Sequence, residues 1–282
     1  MRKLLISFHI AFFPLLRTTF DVDFAQKMID SARQSLLKAG FTLLEPETPI
    51  SDLETAQHAA AMLKQQPVDA IVIFQATFAD STLVAAIVEN ASAPIYLWAV
   101  PEQWTGKRLR LNSLCGINLA AHSLGLKEKK FDYGYAPPDD DNILNDLQVL
   151  AAAGAIKRKL QHAKLGVVGE HPQGFDSCHL DAELLGNTFG IQVKHIPLET
   201  VFKRTREIRP DYVDGIRKTL DRQLDNLASL EQEPLRGTLK VYAALQEISL
   251  EEELDGLAVR CWPACGGRRR GVLRFFPAPA NH

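Results

Sequence analysis

The sequence predicts an α/β fold: two Rossmann-like domains with parallel sheets, followed by a short irregular tail. Three observations carry this. Val68-Asp69-Ala70-Ile71-Val72-Ile73-Phe74 is a near-continuous apolar run, the pattern of a parallel strand covered on both faces. Such runs alternate with helix-length segments along most of the chain. The length of 282 residues is one at which a single core tends to split in two. The expected limits are 1–163 for the first domain, 164–263 for the second and 264–282 for the tail.

Each element has a local reason. Leu4 to His9 reads as a buried first strand, with Ile10 to Thr19 as its exit loop; Met1-Arg2-Lys3 and the run Leu4 to Leu16 could pass for a signal peptide, but His9 and Pro14 interrupt it and no small-residue cleavage site follows. Asp21 or Asp23 can cap a helix over 24–39, which Gly40 ends. Phe41 to Leu44 is a short strand. Ser51 with Glu54 three residues on suggests a capping box for a helix running to Gln65. After the strand ending at Phe74, Gln75 to Asp80 is an exit loop and 81–90 a helix. Pro94 to Trp98 is the fourth strand, and its exit loop, Ala99 to Leu111, is long. Asn112 and Ser113 open an apolar helix to about Leu124. Phe131 to Pro138 carries Tyr133 and Tyr135, and Asp139 to Asp141 open a helix over 142–162, where negative charge is favoured. The second domain repeats the theme: strand 165–168, a glycine-hinged loop 169–176, a helix 177–188 capped by Asp176, and strand 191–196. Helices at 198–206, 210–231 and 235–252 follow, then strand 256–260.

Composition narrows the function classes. Hydrophobic residues make up 46% and charged residues 23%, the balance of a globular protein, and the formal charge of −2 offers no global basic field for nucleic acid. No stretch of 18 apolar residues is present, so no membrane span is expected. Cysteines 115, 178, 261 and 265 are scattered without zinc spacing, which favours a reducing, cytoplasmic setting. Residues 264–282 hold four arginines and no acid, an abrupt change that reads as an unfolded extension, like the product of a shifted reading frame.

Ligands of open α/β sheets sit outside the carboxyl ends of strands, so polar residues there are the site candidates. Gln75 and Thr77 follow the clearest strand and could hydrogen-bond a ligand; as plain loop residues they would be capped or wet. Trp98 and Trp104 could stack on an apolar ligand face or serve as packing. Glu102 could accept a hydroxyl. Glu170 and His171, between Gly169 and Gly174, form the best polar pair of the second domain but lack a third ligand for a metal. His9, His122 and His179 read as structural. No residue is assigned a catalytic or metal-binding role.

Five runs together resemble a known family. They are Phe74-Gln75-Ala76-Thr77-Phe78-Ala79-Asp80, Leu97-Trp98-Ala99-Val100-Pro101-Glu102, Asn112-Ser113-Leu114-Cys115-Gly116-Ile117-Asn118, Gly166-Val167-Val168-Gly169-Glu170-His171-Pro172 and Asp255-Gly256-Leu257-Ala258-Val259-Arg260-Cys261-Trp262-Pro263. In this order they resemble the L-fucose/L-arabinose isomerase-like family of bacterial sugar isomerases, over residues 1–263. The resemblance implies carbohydrate metabolism, a third domain, Mn²⁺ in the full-length family, aldose–ketose interconversion and a homo-oligomer whose N-terminal domains complete neighbouring sites. It also implies an acidic ligand just after the Cys-Trp-Pro motif, where this chain has Ala264. A truncated isomerase-like protein, inactive alone and holding no cofactor itself, is the expectation. The alternative is a non-catalytic sugar-binding or sensor module. A small sugar is the expected ligand, with no nucleic-acid or membrane partner.

Overall fold

A computed structural model describes residues 7–171 and 173–260. Its elements in chain order are β1 (His9–Leu15), α1 (Val22–Lys38), β2 (Thr42–Leu44), α2 (Leu53–Gln65), β3 (Ala70–Gln75), α3 (Ser81–Val88), β4 (Ile95–Ala99), α4 (Ser113–Leu126), β5 (Phe131–Tyr135), α5 (Asp141–Leu160), β6 (Lys164–Val168), α6 (Ala182–Phe189), β7 (Gln192–Ile196), α7 (Leu198–Glu207), α8 (Pro210–Asp221), α9 (Gln232–Glu251) and β8 (Gly256–Val259). Two compact units divide between Arg158 and Lys159, in the last turn of α5. All described strand pairs are parallel, so the chain is α/β.

The first unit is built on a five-stranded sheet in the order β2-β1-β3-β4-β5. Side chains alternate across it. Ala11, Phe13, Leu15, Ile71, Ile73, Ile95 and Leu97 pack in one core with residues of α2, α3 and α4. Ile10, Phe12, Val72, Phe74, Tyr96 and Trp98 pack in the other, against α1 and α5. The helices earn their places by spacing: α1 buries Ala25, Ile29, Ala32 and Leu36, one stripe at helical period. Helix α5 buries Ile143, Leu147, Ala151 and Gly154. At Gly154 the helix approaches β3 so closely that a Cβ would lie 1.8 Å from the Asp69 carbonyl oxygen. Beside it, buried Asp69 accepts from the His9 backbone N–H at 2.9 Å and pairs with Arg158, which ties β1, β3 and α5 together.

The second unit has a three-stranded sheet in the order β7-β6-β8. Val168 and Ile196 meet Val201, Val213, Leu239, Ala243, Ala244 and Ile248 in its core, so α7, α8 and α9 contribute to the cover. Gly169 ends β6 with φ +73, a left-handed conformation that glycine adopts without strain.

Several sequence expectations need correction. The first strand is His9–Leu15, where a loop was expected, and the Leu4–Ile6 part of the expected strand lies outside the described residues. Pro14 is tolerated for a local reason. In a parallel ladder, a residue's N–H and C=O face the same neighbour. The Pro14 carbonyl accepts from Ile50 at 2.8 Å, so its missing N–H falls on the β2 side, beyond the point where β2 stops at Leu44. Phe131–Tyr135 is an edge strand that the sequence left unassigned, because its half-exposed, tyrosine-rich pattern is not that of a buried run. Helix α6 starts at Ala182, capped by Asp181 and not by Asp176. The helix expected over 210–231 stops at Asp221. The capping box of α2 is Asp52 with Thr55, one residue beyond the expected pair. The tail 264–282 and Cys261-Trp262-Pro263 lie outside the described residues.

Replacing Gly154 by Ala drives a methyl into backbone and is expected to destabilise the first unit by roughly 3 kcal/mol or more. Gly215→Ala is the control: nothing lies within 4 Å of a Cβ there, and a helical glycine replaced by alanine gains roughly 0.5–1 kcal/mol. Urea unfolding of both variants measures the two signs, and equal midpoints would refute the close-approach argument.

Candidate functional site at the carboxyl edge of the first sheet

The strand order reverses between β1 and β3, and in open α/β sheets a ligand crevice forms outside the carboxyl ends of the strands at such a switch point. Three loops meet there. Residues 16–21 leave β1, 76–80 leave β3 and 100–112 leave β4. Hydrogen bonds lace them. The Arg17 N–H donates to Thr77 Oγ1 at 2.7 Å, and the Thr77 N–H donates to the Leu15 carbonyl at 3.3 Å. The Phe78 N–H donates to the Leu111 carbonyl at 2.8 Å, and the Asp21 N–H to the Arg110 carbonyl at 3.1 Å. The Ser113 hydroxyl donates to the Gln75 carbonyl and accepts from the Val100 N–H at 3.0 Å, which joins the ends of β3 and β4 to the start of α4.

Glu102 closes the longest loop. Its carboxylate accepts from the backbone N–H groups of Arg110 at 2.6 Å, Leu111 at 3.0 Å and Asn112 at 2.5 Å. The turn needs Asn112 at φ 55, in the left-handed region that asparagine tolerates better than most residues. The loop therefore has a fixed frame although its outward residues, Trp104, Lys107 and Arg108, are exposed.

That frame presents aromatic and cationic groups. The Phe20 and Phe78 rings lie 6.2 Å apart, and the Arg108 guanidinium sits 4.7 Å over Phe20. Arg110 sits 4.1 Å over Phe24 and pairs with Asp21 at 2.8 Å. Arg17 pairs with Asp80 at 3.4 Å. Both acids cap helices. The N–H of Phe24, then the Arg110 guanidinium, holds the Asp21 carboxyl below its ordinary range. The Thr82 hydroxyl, then the Thr82 N–H, lowers Asp80, with Arg17 adding to the effect.

The residues chosen from sequence take different parts. Gln75 and Thr77 are fully buried. Gln75 Oε1 accepts from the Ala79 N–H at 3.2 Å, while its Nε2 has no hydrogen-bond partner. Trp98 is also fully buried, edge-on to Phe74 at 5.2 Å, with its indole N–H donating to the Ala136 carbonyl. The Glu102 carboxylate is occupied by backbone. These four shape the rim from within: three are buried beneath it, and the Glu102 carboxylate is engaged by main-chain amides. In the second unit Glu170 and His171 are exposed, and the His171 ring lies 5.7 Å from that of His179, which sequence reading set aside as structural. Among the described residues no three His, Cys, Asp or Glu side chains gather as metal ligands, so the described donors do not fit a metal. A separate groove of about 670 Å³ in the second unit is lined by Arg209, Asp211, Tyr212, Gln246 and Glu247. Within it Arg209 pairs with Asp211, and the Tyr212 hydroxyl donates to Gln246.

Sequence reasoning missed Arg17, Phe20, Phe78, Arg108 and Arg110. The signal available was Arg17, a lone charge just beyond the apolar run of β1. Placing β1 too early put it in mid-loop.

Removing the Glu102 carboxylate leaves three backbone donors without their acceptor. Glu102→Ala is expected to cost about 2 kcal/mol and to expose the amides of Leu111 and Asn112 to rapid hydrogen exchange while β3 amides stay protected. Unchanged exchange at those two amides would rule out the clamp. Acid should act on the same rim. Depressed carboxyls stabilise the fold above their unfolded pKa of about 4 and lose that contribution as pH falls through the depressed values. Exchange at residues 21–24 and 80–82 is therefore expected to accelerate, relative to β3, as pH drops below about 4. A uniform pH response across the unit would contradict this.

Comparison with known proteins places the site in context. The family model of the fucose/sulfoquinovose isomerase N-terminal domain matches residues 13–161. A sulfoquinovose isomerase of Alkalicoccus urumqiensis is 29% identical over 256 residues. Another, from Priestia aryabhattai, is 27% identical over 258 residues. Each alignment covers 90% of this chain and 57% of the relative, so the chain spans little more than half the length of these relatives. A sulfoquinovose isomerase of Clostridium sp. (strain MSTE9) is 26% identical over 260 residues.

Proposed function

The chain belongs to the fucose/sulfoquinovose isomerase family, and from that premise we propose that it supplies the sugar-recognition part of an aldose–ketose isomerase without catalysing the reaction by itself. The observation that carries this reading is the laced rim at the β1/β3 switch point, which lies inside the matched residues 13–161. A framed rim with exposed aromatic and cationic side chains can hold and orient a polar ring. The names of these relatives point to a sulfonated hexose as the substrate class.

Moving a proton between adjacent sugar carbons needs a polarised carbonyl and a positioned base. The family's metal would supply the polarisation. The described residues hold no cluster of suitable donors, and Ala264 stands where the resemblance implies an acidic ligand. The role left for this chain is to bind, orient and shield the sugar, within an assembly that contributes the reacting groups. A homo-oligomer of this chain that also takes up a separate catalytic chain would suit that role. A cytoplasmic setting agrees with the exposed Cys115 and Cys178 thiols, and no described helix is long and apolar enough to cross a membrane.

The test uses purified protein with Mn²⁺ and a panel of sulfoquinovose, glucose, fucose, arabinose and the matching ketoses. No ketose formation above the protein-free control is expected, together with a saturable rise in melting temperature with sulfoquinovose. Metal-dependent turnover by the isolated chain would overturn the non-catalytic role. Absence of any sugar-dependent shift would overturn recognition.

A further inference from the structure

Resting on that reading, we propose that Arg108, assisted by Arg17, is the group at this rim that binds the sulfonate of the sugar. Four cations border the crevice: Arg17, Lys107, Arg108 and Arg110. Three acids do so: Asp21, Asp80 and Glu102. Each acid is already engaged. Glu102 is held by three backbone N–H groups, and Asp21 by Phe24 and Arg110. Asp80 caps α3 through the N–H and hydroxyl of Thr82.

The cations differ in how far they are committed. Arg110 is bound twice, to Asp21 and over Phe24, and acts as part of the frame. Arg108 sits over Phe20, and among the described residues it pairs with no carboxylate. Stacking uses the face of a guanidinium. Its N–H groups lie in the plane and stay available for a two-point bond to an oxyanion. Arg17 makes one contact with Asp80, at 3.4 Å, with its side chain 43% exposed. Asp80 would keep its Thr82 partners if a ligand drew Arg17 away. Phe20 links the two positions through the loop: its ring carries Arg108, and its N–H donates to the Arg17 main-chain carbonyl at 3.1 Å.

A sulfonate fits this arrangement chemically. It is a singly charged tetrahedral oxyanion with three equivalent acceptors and no proton to give, so arginine forks recognise it and neutral hydroxyl donors discriminate it poorly. The aromatic surface of Phe20 and Phe78 lies beside the cations and can take an apolar face of the sugar.

Isothermal titration of the intact chain tests this, with sulfoquinovose, glucose and methanesulfonate as probes. The variants are Arg108→Gln, Arg17→Gln, the double variant, and Lys64→Gln as a control near the end of α2, at the opposite edge of the sheet. Melting temperature checks that each variant is folded. Sulfoquinovose is expected to bind wild type and Lys64→Gln alike, and Arg108→Gln roughly tenfold more weakly. Arg17→Gln should lose less, and the double variant should bind sulfoquinovose no better than glucose. Affinity should fall with added salt. Equal sulfoquinovose affinity in wild type and the folded double variant would overturn the arginine assignment while leaving sugar recognition intact. Methanesulfonate binding as tightly as sulfoquinovose would overturn the sugar-specific site in favour of a general anion site. Binding of neither sugar by wild type would overturn both readings.

Discussion

Strand β3 has no exposed residue, and that constraint organises the first unit. A strand buried on both faces must be sandwiched by helices, so successive strands run parallel and each returns through a helix. Every exit loop then leaves from the same edge. The meeting of segments 16–21, 76–80 and 100–112 follows from that topology. What topology does not set is the loops' conformation. That comes from a few polar groups with inward-facing jobs: Thr77 on Arg17, Ser113 between β3 and β4, and Glu102 on three successive amides.

Much of this architecture was legible because burial on both faces leaves a strong mark in sequence. The runs that became β3, β4 and β6 were visible as uninterrupted apolar stretches, and the capping acids of α1 and α2 were visible within a residue. Where the mark is weak, reading failed. Strand β1 contains a proline whose acceptability depends on β2 stopping early, a fact of the third dimension. Strand β5 lies at an edge and looks like a loop. Asp176 and Asp181 are equally good caps on paper, and only the fold selects the second.

The candidate site was legible in position more than in person. Polar residues after apolar runs mark where loops lie, but they do not tell which side chains turn inward. Gln75, Thr77, Trp98 and Glu102 were found because they sit on strand ends, and they prove to be fixtures of the rim. The groups left facing outward, Arg108 above all, sit in mid-loop where no periodicity flags them. His171 was singled out for its glycine-hinged loop, and its ring does have a neighbour, but that neighbour, His179, lies eight positions on across a short 3-10 turn.

The clamp made by Glu102 has one more consequence. A loop that holds its own shape does not have to be ordered by its ligand, so little binding free energy is spent on freezing it. The same clamp separates framework from display. Gln103, Trp104, Lys107 and Arg108 project from a scaffold whose hydrogen bonds come from Glu102 and main-chain amides, and none of those bonds involves their side chains. Substitutions at these four positions can therefore alter which head group is preferred without unmaking the loop, which gives a lineage of such proteins a cheap route from one sugar to another.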